Sequence, residues 1–288
     1  MKFGVLYAYW EREWSGDYFR YAKKVKDLGF DILEISAGSL FDMSDSVISD
    51  LKDLTKSLGL EISCNIGPPK KYDVASADPS VRAAGLRFLT DIMKKMDRLD
   101  SRTLIGVMYT YWPNDFTDPD KPAIWARGVE SCASMGKTAQ SLGIDMCLEV
   151  VNRFETHILN TAEEAVRFVN ETGNPNVKVL LDTFHMNIEE DNIADAIRQT
   201  GALLGHVHAG EGNRKPPGQG SLPWADIGKA LRDIGFDRGV VMEPFVLQGG
   251  RVGKDIKVWR DLSGDADEAK LDADIIKALA VLRANFLA

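Results

Sequence analysis

Ser141-Leu142-Gly143-Ile144-Asp145-Met146-Cys147-Leu148-Glu149 holds in miniature the pattern of the whole chain. A helical spacing of apolar residues over 123–142 stops at a glycine suited to the left-handed position after a helix, a β-rich run follows, and the run ends on a carboxylate. The same junction recurs at Leu28-Gly29-Phe30, Leu58-Gly59-Leu60 and Ile234-Gly235-Phe236, so the repeating unit is helix then strand. Counting such runs predicts eight strands, near 3–7, 31–36, 60–66, 103–108, 145–151, 177–182, 203–208 and 239–243. Helices are predicted between them at 17–28, 44–58, 79–97, 123–142, 161–171, 192–199 and 224–233, with a last one at 268–286.

Strands that alternate with helices imply right-handed crossovers and a parallel sheet, and eight such units close into a barrel without an exposed edge. The expected fold is therefore α/β, a (β/α)8 TIM barrel over a single domain, 1–288, with an open doubly wound sheet as the alternative. No Gly-x-Gly-x-x-Gly turn follows the first strand, where Tyr7-Ala-Tyr-Trp-Glu-Arg12 stands instead, so the usual cradle for a dinucleotide is missing. The Gly- and Pro-rich stretch 210–223 is short enough to be a loop between a strand and its helix.

The balance of charges narrows the partners. A net charge of −8 argues against a surface that tracks phosphates, so no nucleic-acid partner is expected. There is no apolar run long enough for a membrane span and no signal-peptide pattern at the start, which points to a cytoplasmic protein with no membrane partner. Cys64, Cys132 and Cys147 are odd in number and lie in apolar surroundings, so they are expected to be reduced core residues.

Four side chains able to hold a divalent metal end four successive strands: Glu149, Asp182, His208 and Glu243. Barrel strands deliver reactive groups at their carboxyl ends. Any one of these residues alone would be an ordinary strand-end group facing solvent or capping a helix, but four at one rim point to a metal-dependent enzyme. Three carboxylates and an imidazole suit manganese, magnesium or cobalt better than a thiolate-bound structural zinc. His206 shares a strand face with His208, about 6.6 Å deeper, and is expected to be a hydrogen-bonded interior residue. His185, just past Asp182, is placed to meet a substrate, and Arg214 in the 210–223 loop either offers a fork of donors to the vicinal oxygens of a polyol or to a carboxylate, or stands as a solvated loop cation. Tyr7, Trp14, Trp112 and Phe245 fall just beyond strand ends, where rings pack on the C–H faces of sugars or simply on one another.

Leu148-Glu-Val-Val-Asn-Arg-Phe-Glu-Thr-His157, Val179-Leu-Leu-Asp-Thr-Phe-His-Met-Asn187, Gly205-His-Val-His-Ala-Gly-Glu-Gly-Asn-Arg214, Val241-Met-Glu-Pro-Phe245 and Asp255-Ile-Lys-Val-Trp-Arg-Asp261 resemble the ketose 3-epimerase family, the D-tagatose and D-allulose (D-psicose) 3-epimerases. The resemblance extends to Tyr9-Trp-Glu-Arg-Glu-Trp14 and Tyr111-Trp112-Pro113, nearly the whole chain. It implies one Mn²⁺ or Co²⁺ per subunit on Glu149, Asp182, His208 and Glu243. It implies further that Glu155, His185 and Arg214 grip the C1 to C3 end of a small-molecule ketose, that Trp112 and Phe245 line the pocket, and that the protein is a homo-oligomer, dimer or tetramer. The chain departs from the family at Leu6, where many members have tyrosine, at 105–108, and at Ala209 and Gly212 in place of threonine and of serine or cysteine. These changes bear on the distal end of the sugar.

The expected reaction follows from the chemistry of the gripped C1 to C3 end. The hydrogen on C3 of a ketohexose is weakly acidic because it is α to the C2 carbonyl, and inversion needs a base, an acid on the other face and stabilisation of charge on O2 in a cis-enediolate. Glu149 and Glu243 are the expected catalytic pair. An aldose–ketose isomerase on the same barrel and metal is the alternative. Two other readings fit less well: a multi-zinc phosphodiesterase of the endonuclease IV type needs more histidines, and a silent sugar-binding protein has no need of opposed glutamates.

Overall fold

A computed structural model describes residues 1–288. Eight parallel strands pair in chain order: β1 (Lys2–Leu6), β2 (Ile32–Ser36), β3 (Glu61–Asn65), β4 (Thr103–Gly106), β5 (Asp145–Val150), β6 (Val177–Asp182), β7 (Leu204–Ala209) and β8 (Gly239–Met242). β8 pairs back onto β1, from Lys2↔Gly239 to Val5↔Met242, so the sheet is a closed barrel and not the open alternative. Helices at 18–27, 45–58, 79–99, 121–142, 162–172, 193–200, 224–233 and 268–286 surround it.

Local chemistry accounts for the element ends. Asp17, Ser44, Asp78, Asp120, Thr161, Asn192 and Asp267 cap helix N-termini through side-chain oxygens. Gly59 and Gly143 sit at φ 58° and 64° after their helices, which is the left-handed turn the junction motif predicts. After the helix 79–99 that turn is made by Asp100 at φ 65°, a junction with no glycine to announce it. β4 stops two residues short of the predicted end. Gly106 takes φ 121° there, and a Cβ on it would stand 2.2 Å from the carbonyl oxygen of Ile66. β1 likewise ends at Leu6, because Tyr7–Trp10 curls into a 3-10 turn. Short helices at 37–42, 183–189 and 250–255 were not foreseen.

Both faces of each strand are buried, and this divides the core. Outward side chains such as Leu33, Ile35, Leu104, Leu148 and Val207 pack against the helices in a continuous apolar cluster of 79 residues. Inside the barrel the apolar part is a separate plug of Ile105, Cys147 and Leu180. Two residues further along the strands the interior turns polar: Glu149 follows Cys147 on β5 and Asp182 follows Leu180 on β6. A bulge in β7 between Leu204, which pairs with Val179, and His206, which pairs with Leu180, sets both histidines of that strand inward. All three cysteines are free and buried.

Candidate active site

Closure of the barrel brings Glu149, Asp182, His208 and Glu243 together, with one potential ligand atom from each lying within 4.8 Å of the others. His208 Nδ1 stands 3.3 Å from Glu149 Oε1 and 3.6 Å from Glu243 Oε2. Glu243 lies one residue past β8, and its N–H donates to the Ala209 carbonyl at 3.1 Å, which fixes the ligand against β7. Asp182 uses one oxygen to cap the helix 183–189 through the Phe184 N–H and turns the other into the cluster.

Three carboxylates held this close without solvent repel one another. Burial pushes the Glu243 carboxyl well above the usual range, and the Glu149 charge adds to this against the pull of His208 and Arg214. The His208 imidazole is raised well above its ordinary value: burial opposes this, but Glu243, Glu34 and Glu149 overcome it. Asp182 is lowered despite its burial by Arg214, His185 and His208. A divalent cation among these carboxylates would relieve the same repulsion. Its oxygen-rich donor set, with one imidazole, fits such an ion.

Above the cluster opens a cavity of about 350 Å³ whose wall includes Leu6, Tyr7, Trp14, Trp112, Glu149, Glu155, His185, Arg214, Glu243 and Phe245. Asp182 and His208 lie beneath it, fully buried. Arg214 Nη1 bridges Asp182 Oδ2 at 2.9 Å and Glu243 Oε2 at 3.2 Å, its guanidinium lies over the Phe184 ring at 4.0 Å, and its buried Nε has no partner. The residue sits at φ 64°, a conformation uncommon outside glycine, held by hydrogen bonds from its N–H to the Glu211 carbonyl and from the Phe245 N–H to its own carbonyl. His185 Nδ1 accepts from the Asn152 backbone N–H at 3.1 Å, so in the neutral ring the proton lies on Nε2, which faces Asp182 at 3.5 Å and Glu155 at 4.0 Å. The Trp112 indole donates to Glu155 at 2.9 Å, and Trp14 packs edge-on against both Trp112 and Phe245. Tyr7 is fully buried, its ring edge-on to Tyr18, so it contributes wall and no exposed hydroxyl.

Several residues of the site escaped the sequence reading. Glu34, in the middle of β2, is fully buried and hydrogen-bonded to His208. Burial opposes its ionisation, yet His208 and His206 together hold its carboxyl below the usual range. Its signal was available, an ionisable residue inside the apolar run Ile32-Leu33-Glu34-Ile35, but nothing in that run says which face is inward. Glu211 is equally buried and organises the 210–223 loop by accepting from the N–H groups of Gly218 and Leu222 and the Trp224 indole. His206 lies inside the barrel as expected, but its bonding differs: Nε2 stands 3.4 Å from Glu34 Oε2 without an aligned hydrogen bond, and burial lowers its affinity for a proton. Gly212 has a local reason, since a Cβ there would come 2.7 Å from the Asn187 amide.

Comparison with known proteins matches residues 22–262 to the xylose isomerase-like TIM barrel family. A D-psicose 3-epimerase of Agrobacterium fabrum is 50% identical over 284 residues, covering 98% of each chain. The crystal structure of a D-psicose 3-epimerase in the presence of D-fructose superposes with a TM-score of 0.98 at 49% identity, over 100% of both chains. A D-psicose 3-epimerase with D-tagatose from Clostridium cellulolyticum H10 gives a TM-score of 0.98 at 50% identity over 99% of both.

Proposed function

Since this chain belongs to the xylose isomerase-like TIM barrel family, among the ketose 3-epimerases, we propose that it inverts C3 of free ketohexoses, interconverting D-fructose with D-allulose and D-tagatose with D-sorbose. The observation that carries this reading is the buried cluster of Glu149, Asp182, His208 and Glu243 under a sugar-sized cavity. Those four residues would hold one Mn²⁺ or Co²⁺ per subunit. When bound, such an ion supplies a Lewis acid for the negative charge that develops on the ketose oxygens.

The chain's own groups do the rest. Glu149 and Glu243 enter the site from strands three places apart, so a ketose between them meets a carboxyl on either side of C3. One takes the proton from C3 and the other returns a proton to the opposite face, which inverts the centre. Arg214 and the Nε2–H of His185 present donors toward the oxygens at the C1 to C3 end, and Glu155, anchored by Trp112, accepts from a hydroxyl. Trp14, Trp112 and Phe245 exclude water from the face of the sugar. Leu6 and Tyr7 form wall toward its distal end.

Metal-stripped protein incubated with each ketose in D₂O, with and without Mn²⁺, tests the proposal. It expects product ketose with deuterium at C3 only when Mn²⁺ is present; aldose product, or recovered ketose with deuterium at C1 and none at C3, would assign the aldose–ketose isomerisation instead.

The chain 1–288 works as one catalytic unit in this reading, in the cytoplasm, where its buried thiols stay reduced. No helix is long and apolar enough to cross a membrane. A homo-oligomer is proposed because Phe154 and Trp259 are 62% and 69% exposed on neighbouring loops, joined by a bond from Lys257 Nζ to the Phe154 carbonyl. Light scattering after size exclusion, before and after Trp259→Ser, measures it, and a monomer in both cases would end the idea.

A further inference from the structure

Glu34 occupies a costly position, an interior carboxylate with no lysine or arginine beside it. Both of its oxygens accept hydrogen bonds. Oε1 accepts from His208 Nε2 at 3.0 Å and from the Asn65 amide at 3.3 Å, while Oε2 accepts from Ser63 Oγ at 2.9 Å and faces His206 Nε2 at 3.4 Å. Asn65 Nδ2 also reaches Glu243 Oε1 at 3.3 Å. One carboxylate therefore touches one potential metal ligand directly and a second through an amide.

An imidazole that binds a cation through one nitrogen must carry its proton on the other. The nitrogen of His208 that faces Glu149 and Glu243 is Nδ1, so the proton has to stand on Nε2. An ionised carboxylate only accepts hydrogen bonds, and Glu34 meets Nε2. We propose that Glu34 is a positioning residue for the metal centre: it fixes the His208 ring with Nδ1 bare toward the three carboxylates and, through Asn65, aligns Glu243. This rests on the reading of the four-residue cluster as a divalent-metal site. Ser63 and the inward His206 complete the setting.

The test is the Mn²⁺ affinity of wild type and Glu34→Gln, read from the electron paramagnetic resonance signal of free Mn²⁺, beside the melting temperature of each metal-free protein. The amide keeps the shape and loses the charge. The expected result is a Kd raised about ten- to hundred-fold, as for other residues that orient a metal-bound histidine, with a metal-free melting temperature no lower than that of wild type. A Glu34→Gln protein that binds Mn²⁺ within twofold of wild type overturns the inference and leaves the metal site standing. A wild type that binds no Mn²⁺ overturns both. If Glu34→Gln does not fold, wild type labelled with ¹⁵N in its imidazoles and loaded with diamagnetic Zn²⁺ decides. A far-downfield, slowly exchanging His208 Nε2–H supports the role, and an Nε2–H in free exchange with water overturns it.

Discussion

Leu148 and Glu149 are neighbours on β5 and face opposite worlds. Leu148 points outward into the 79-residue apolar cluster between barrel and helices; Glu149 points inward, above a plug of only three apolar residues, into a group of buried carboxylates and histidines. The outer layer is where folding gains its free energy, because apolar area leaves water there at little penalty. The inner layer spends part of that gain on buried charge. Stability and chemistry are therefore carried by alternate residues of the same strands, and they should respond separately to substitution.

The largest expected effect is chemical. Glu149→Gln should lower kcat/KM for D-allulose by roughly 10²–10⁴-fold, since the amide cannot carry the proton. Its metal-free melting temperature should stay near that of wild type, because an isosteric amide relieves like-charge crowding. A variant that melts far lower while keeping its turnover would erase the division of labour. Next comes Leu148→Ala, one residue away. It should cost about 2–5 kcal/mol in denaturant unfolding, the range for an emptied leucine site, and leave kcat/KM of the folded fraction within about twofold. Third, stripping the metal should lower stability by about 2.7 kcal/mol relative to protein at a hundred times the Mn²⁺ Kd, a difference of several degrees in Tm. Glu149→Gln should show much less of that gain, whereas Leu148→Ala should keep it in full; calorimetry of the variants with and without Mn²⁺ measures both. The smallest effect belongs to the distal wall. Leu6 lines the cavity with its side chain buried, and a hydrogen bond to an uncharged hydroxyl is worth only about 0.5–1.5 kcal/mol. Leu6→Tyr should reorder kcat/KM among D-allulose, D-fructose and D-tagatose by about tenfold with Mn²⁺ affinity unchanged; an unaltered ranking would remove Leu6 from the specificity argument.

The same division explains what could be read from the chain. Helices display their apolar stripe at a period that polar neighbours make visible, and the glycine after Leu58 or Leu142 marks where each ends. Strand ends were visible because Glu149, Asp182, His208 and Glu243 interrupt apolar runs at or within one residue of where the strands stop. The middle of a strand gives no such mark. With both faces buried, the run Ile32-Leu33-Glu34-Ile35 does not alternate between apolar and polar, so the inward direction of Glu34 is set by the register with Leu6 and Ser63, which only the folded barrel defines. The early stop of β4 depends on the approach of Gly106 to the Ile66 carbonyl, and the phase of β7 on a bulge. Both are tertiary facts. So is the strained backbone of Arg214, whose loop is arranged by the buried Glu211 carboxylate.

The pairing of Phe3 with Val240 closes the barrel between strands that lie far apart in the sequence. At about 5–20 residues per second the first strand waits tens of seconds on the ribosome before its partner exists, with its N–H and C=O groups unpaired on that side. Glu243 emerges last of the four cluster residues, directly after β8. A nascent chain thus holds Glu149, Asp182 and His208 without the group that completes the set, and neither the cation nor the sugar finds a finished site until β8 and the residue after it have been made. Closure of the barrel and completion of the cluster thus depend on the same long-range pairing.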